Sequence, residues 1–164
     1  MLYKFDNLKI LNLKGNHTIE CVIVPVSKGL IPKKKDGWSF DWQNEFKQRP
    51  DTLYVLIEQS SNRIHGAIQL LENDGMLIME LIEIAPFNIG AQKENDHVAG
   101  CLIAFACRTA LKLNSAYKGY LTFMSKTSLI EWYKTKYFAT QTIGARMYID
   151  PMSGAKLIHK YLEE

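Results

Sequence analysis

The chain has 164 residues, 47% of them hydrophobic, and a formal charge of +3. That length supports one sizeable core and divides poorly into two, so a single domain over residues 1–164 is expected. The small charge argues against nucleic acid as a partner, and no stretch reaches the roughly 20 apolar residues of a membrane-spanning helix, so no membrane partner is expected either.

Residues 8–13 and 18–26 are rich in branched side chains and flank Lys14-Gly15-Asn16, which predicts a hairpin leading into a sheet. Over residues 27–50 glycine and proline punctuate the chain, and Trp38, Phe40, Trp42 and Phe46 predict aromatic anchors around a short helix at 41–48 that covers one rim of the sheet. The run Lys33, Lys34, Lys35 sits between Pro32 and Asp36-Gly37. A solvated loop is its plain reading, and a phosphate or acidic-substrate contact is the other. Leu53–Glu58 and residues 64–71 read as antiparallel strands joined through Ser60-Ser61-Asn62, and Asn73-Asp74-Gly75 turns the chain into the next strand of a meander.

Met76–Ile84 sets Met76, Ile78, Glu80, Ile82 and Ile84 on one side and Leu77, Met79, Leu81 and Glu83 on the other. Both faces are apolar with a glutamate each, the pattern of a central strand covered on both sides. Residues 97–114 predict a largely buried helix with Arg108 and Lys112 on its wet edge and Asp96 or Asn95 as its cap. Gly119 breaks the chain before a strand at 120–124, residues 126–136 are amphipathic, and a strand at 145–149 leads to a helix over Pro151–Tyr161, opened by a proline suited to the first helical position.

Cys21, Cys101 and Cys107 are odd in number and form no CxxC pair, so reduced, buried thiols are expected rather than a disulfide framework or a zinc site. Cys101 lies in the first turn of its helix, where the dipole lowers a thiol pKa, yet its neighbours suggest packing. His17, His65, His97 and His159 lack metal-ligand spacing and read as surface or satisfied histidines, so no metal is expected. The amino-terminal segment has no apolar signal core with a small-residue cleavage site, which leaves a cytoplasmic protein as the expectation.

Three frames carry chemistry: Ile82-Glu83-Ile84-Ala85-Pro86-Phe87-Asn88 at a strand end, Asn95-Asp96-His97-Val98-Ala99-Gly100 at a helix opening, and the run from Lys126 through Tyr133 to Phe138. In that order, over residues 76–150, the chain resembles the GNAT superfamily of acyl-CoA-dependent N-acyltransferases. The resemblance implies an α/β (α+β) fold with a mixed, mostly antiparallel central sheet flanked by helices. Of the family's Q/R-x-x-G-x-G/A loop only Gly100 is kept. Its donors are main-chain amides, so Val98, Ala99, Gly100 and Cys101 are the implied holders of the diphosphate of acetyl-CoA, helped by roughly half a positive charge at the helix end. Asp96 and Glu94 oppose an anion there and Lys93 offsets them; Lys126 is a further implied cofactor contact. The backbone of Ile82, Glu83 and Ile84 is implied to pair with the pantetheine amides.

Tyr133 and Phe138 match the family pattern N-x-x-A-x-x-L-Y-x-x-x-G-F in residue and spacing, while Lys126, Leu129 and Tyr137 replace its Asn, Ala and Gly. The match implies Tyr133 as the general acid that protonates the departing thiolate, since a phenol near pKa 10 can donate to a thiolate near 8.5 as charge develops. Its plain reading is an amphipathic core tyrosine. Glu83 or Glu80 is the implied general base, provided burial raises the carboxyl pKa; the plain reading is a glutamate satisfied by a core partner. The implied activity is transfer of an acetyl group from acetyl-CoA to a primary amine of a small molecule or protein. Trp38, Trp42 and the last two strands are expected to shape the acceptor region. The alternative is a non-catalytic CoA-binding or protein-interaction module, and a homodimer is an open assembly state.

Overall fold

The computed structural model describes residues 6–162. Its strands are β1 (Asp6–Asn12), β2 (His17–Pro25), β3 (Leu53–Glu58), β4 (Ile64–Asn73), β5 (Met76–Ile84), β6 (Asn95–Asp96), β7 (Leu121–Met124), β8 (Thr140–Gln141) and β9 (Arg146–Ile149). The helices are α1 (Trp42–Gln48), α2 (Val98–Ala110), α3 (Ile130–Tyr137) and α4 (Pro151–Tyr161). The strands hydrogen-bond in the order β6-β1-β2-β3-β4-β5-β7-β9-β8. Among the registered pairs only β5 with β7 is parallel, so the expected mixed, mostly antiparallel sheet is what the chain forms. The chain divides into two compact units, one holding the described residues through Gln69 with Leu81–Leu102, the other Leu70–Glu80 with Ile103 onward.

In the first unit the meander packs a core on one face, where Val55, Ile57 and Ala67 meet Trp38 and Trp42. Asp41 caps α1 by accepting from Asn44 N at 3.0 Å, which satisfies one of the orphan amides of that helix end. The opening of α2 is seated on β4 at Gly66. A Cβ there would stand 2.8 Å from both Val98 Cγ1 and Leu102 Cδ1, so only glycine lets the helix rest this close to the strand. The bare backbone at Gly66 therefore sets where the first turn of α2 lies.

In the second unit β5 and β7 run parallel through Leu77↔Leu121 and Ile78↔Thr122, with α2 lying between them in sequence as a parallel pair requires. β9 pairs antiparallel with β7. Asp150 caps α4 by accepting from Ser153 N at 2.7 Å, and Pro151 occupies the first helical position. Gly154 brings α4 close to α2, where a Cβ would be 3.1 Å from Cys107 Cβ.

Several boundaries differ from expectation. α2 ends at Ala110 instead of running to residue 114, and the amphipathic run from 126 splits into a 3-10 turn (Thr127–Leu129) and α3. β5 is less covered than its composition suggests, because Leu77 and Met79 are buried while Ile78, Leu81, Ile82, Glu83 and Ile84 are half-buried and Glu80 is exposed. Among the described residues no helix is long and apolar enough to cross a membrane.

Candidate functional site

The first group of candidate residues lies where β5 ends. Ala85 N donates to His65 O on β4 at 2.9 Å. Backbone polar groups alternate along a strand, so the N–H and C=O of Ile84 and Ile82 point to the opposite edge of β5. That edge has ladder partners at Leu77 and Ile78 among the described residues and no registered pair at Ile82 or Ile84.

Pro86 opens a 3-10 turn over Pro86–Asn88, and β6 then pairs with β1 through Leu11↔Asp96 and Asn12↔Asn95. This pairing was not legible in the sequence, where two residues cannot show a period. It delivers the chain to α2 through His97, which adopts a left-handed φ of 78° and whose carbonyl accepts from Cys101 N at 3.0 Å. The expected cap is thus corrected. Neither Asp96 nor Asn95 caps α2, because Asp96 turns its Oδ1 to His97 N (2.8 Å) and Lys93 Nζ (3.2 Å), while Asn95 is buried against Asn88. The amides of Val98, Ala99 and Gly100 make no hydrogen bond to a described residue.

Both acids near this helix end are neutralised locally. Burial raises the Asp96 carboxyl, but the His97 N–H and the Lys93 ammonium outweigh it and hold the group below the usual carboxylate range. Glu94 pairs with Arg63 at 2.9 Å, and the Arg63 guanidinium lies 3.7 Å from the Phe87 ring centre. Lys93 is therefore engaged with Asp96.

Glu83 is held by three donors. Its Oε2 accepts from Ser39 N at 2.5 Å, and its Oε1 accepts from Phe40 N at 3.1 Å and from Trp42 Nε1 at 2.9 Å. The carboxylate pins the segment that opens α1 through two amide donors and one indole donor. Trp42 is 1% exposed and Trp38 6%, so both are core residues and neither lines an acceptor surface. The burial expected of Glu80 is likewise corrected, since that residue is exposed.

The second group lies in the other unit. Tyr133 on α3 is buried, with ring centres of Phe123 at 4.7 Å and Trp132 at 4.9 Å. Its hydroxyl makes no hydrogen bond to a described residue, and burial raises its pKa from the ordinary phenol value, so the group stays protonated through neutral pH. Lys126 is exposed and precedes the 3-10 turn, its carbonyl accepting from Leu129 N at 2.9 Å. Where the family pattern has glycine this chain has Tyr137, which stays helical, and the left-handed turn falls on Phe138 at φ 58°. The three thiols are free, and burial pushes each up to about 12, so at Cys101 packing overrides the helix dipole.

No family model matches the chain, and no curated protein sequence matches it. Among solved structures it is similar to Ard1 from Thermoplasma volcanium, at 10% identity over 79% of this chain and 96% of that chain, with a TM-score of 0.47. It is also similar to a cAMP-binding acyltransferase from Mycobacterium smegmatis (10% identity, TM-score 0.47), covering 98% of this chain but 57% of the other, and to nourseothricin acetyltransferase (18% identity, 87% and 82% covered, TM-score 0.40). The order of its elements, a meander, a long strand, a helix, a parallel strand, a helix and a last antiparallel strand, is the one that the resemblance in the sequence implies.

One cluster escaped the sequence reading. His65, 0% exposed on β4, holds Glu58 Oε1 at 2.7 Å and Asn88 Nδ2 at 2.9 Å. Its polar side chain within residues 64–71 was the available signal. Burial lowers the His65 pKa, against the opposing hydrogen bond and charge of Glu58. In the unfolded chain imidazole takes up a proton below about pH 6.5, whereas folded His65 resists it, so the unfolded state binds more protons and stability falls as pH drops from there toward the lower folded value. We expect the urea midpoint to fall more between pH 7.5 and 5.5 in the native chain than in a His65→Asn variant; equal falls would remove the assignment.

Proposed function

We propose that the chain is an acyl-CoA-dependent N-acetyltransferase that moves an acetyl group from acetyl-CoA to a primary amine. The observation that carries this reading is the edge of β5, where the N–H and C=O groups of Ile82 and Ile84 point outward with no registered strand pair among the described residues, as an extended diamide such as pantetheine requires for strand-like pairing. The unpaired amides of Val98, Ala99 and Gly100 support it, because two or more N–H groups at a helix opening suit a diphosphate, and the nearby carboxylates of Asp96 and Glu94 are each ion-paired. Cys101 N is committed to His97 O, so the proposed phosphate donors are the other three.

In the proposed reaction the amine nitrogen attacks the thioester carbonyl carbon; the C–N bond forms and the C–S bond breaks. The ammonium proton passes to a carboxylate or water, and the thiolate leaves with a proton from Tyr133. Glu83 is occupied as a pin and Glu80 lacks the burial that the base role required, so water is the proposed first acceptor of the ammonium proton. Lys126 is proposed as a surface contact to the cosubstrate, and the acceptor as a small-molecule or protein amine. A cytoplasmic setting suits three free thiols.

The engagement of Glu83 favours a second reading, a module that binds CoA without turnover. Calorimetry with acetyl-CoA tests the ligand, and thiol release against a panel of amines tests the chemistry. Binding with amine-dependent thiol release is the expected result. Binding with no release would move the conclusion to the second reading, and no binding would end both.

A further inference from the structure

His65 belongs to a chain of polar side chains whose donor and acceptor ends are fixed by the backbone. Gly15 N donates to Asn12 Oδ1 (2.8 Å), which leaves the Asn12 amide nitrogen to donate to Asn95 Oδ1 (3.1 Å). Asn95 then offers both its backbone N (3.1 Å) and its Nδ2 (3.0 Å) to Asn88 Oδ1. Asn88 must present its own Nδ2 to His65 Nδ1, so Nδ1 is an acceptor and Nε2–H donates to Glu58, whose other oxygen accepts from Ser61 Oγ at 3.2 Å. Two immovable backbone N–H groups, on Gly15 and Asn95, thus set the tautomer of a histidine, and no single amide in the series can rotate without setting two donors against each other. Asn88 and Asn95 are 5% and 2% exposed, so water does not relieve such a clash. Arg63 and Glu94 are the other charged groups near the ring, and Phe87 packs on it edge-to-face at 5.4 Å.

The series braces residues 88 and 95 within 85–97, the connection from the end of β5 to the opening of α2. We propose that His65 is a positioning residue for the acyl-CoA site, holding this connection in register through Asn88 and Asn95 and thereby fixing the amides of Val98, Ala99 and Gly100. It rests on the acyltransferase reading for its ligand, although its mechanical part does not. Neither His65 nor Asn88 touches the cosubstrate; each acts through the segment it holds.

Two substitutions separate the two arms of the imidazole. Asparagine places a carbonyl oxygen near the Nδ1 position and keeps the acceptor for Asn88, whereas glutamine places an amide nitrogen near Nε2 and keeps only the donor to Glu58. With coenzyme A as the probe, His65→Gln should weaken binding about tenfold or more, with faster hydrogen exchange at Glu94, Asn95 and Leu13 in the free protein. His65→Asn should stay within about threefold on binding and close to the native exchange pattern. Equal losses in both variants, or unchanged exchange in His65→Gln, would overturn the proposal. If the native chain does not bind coenzyme A, the acyltransferase reading fails and the exchange comparison alone decides the positioning role. Should either variant fail to fold, Asn88→Asp supplies an acceptor in place of the Asn88 donor. His65 must then carry protons on both nitrogens near pH 7, visible in its imidazole nitrogen shifts; a ring that stays neutral would refute the coupling.

Discussion

Tyr133→Phe is expected to lower kcat for thiol release by about 10²–10⁴, the range for loss of a positioned general acid, with little change in Tm. The ring keeps its contacts with Phe123 and Trp132, and the hydroxyl gives up no hydrogen bond to a described residue, so the fold loses almost nothing. Because burial raises the phenol pKa, native turnover should not decline from ionisation of this group up to about pH 10, the unperturbed phenol value. Turnover within a few-fold of native would return Tyr133 to an ordinary core tyrosine.

The second large effect is expected at Glu83, and on stability rather than turnover. Glu83→Ala strands three donors, among them the indole of the buried Trp42, and leaving one buried donor unsatisfied costs about 1–3 kcal/mol. Glu83→Gln keeps one oxygen but turns an NH2 toward a donor, so it should fall between the native chain and Glu83→Ala in urea midpoint. A general base predicts the reverse: Glu83→Gln would fold with unchanged stability and lose turnover.

Strands with many residues announced themselves. Leu53–Glu58 and Met76–Ile84 are rich in branched or apolar residues between turn signals, and both form over those residues. Pro151 and Asp150 likewise mark the start of α4. β6 and β8, at two residues each, leave no period to read, and β6 is the strand that fastens the approach to α2. Residue type misled at Trp38 and Trp42, because an aromatic ring suits a substrate wall and a core equally well, and only packing distinguishes them. The Asn12, Asn88 and Asn95 series was invisible for a related reason: an asparagine alone suits a turn or a helix cap, and only the folded backbone brings these amides into one line. At the candidate site, the sequence offered the strand end, the helix opening and Tyr133 as candidates, but could not show that Glu83 would be claimed by Ser39, Phe40 and Trp42 from more than 40 positions earlier.

The sealed sulfurs of Cys21, Cys101 and Cys107 have a practical consequence. A maleimide spin label or fluorophore can be attached to a single new cysteine without first stripping the native ones. Ile143, at 89% exposure, offers a place to put it, so distance measurements can follow the chain with its interior chemistry left as it is.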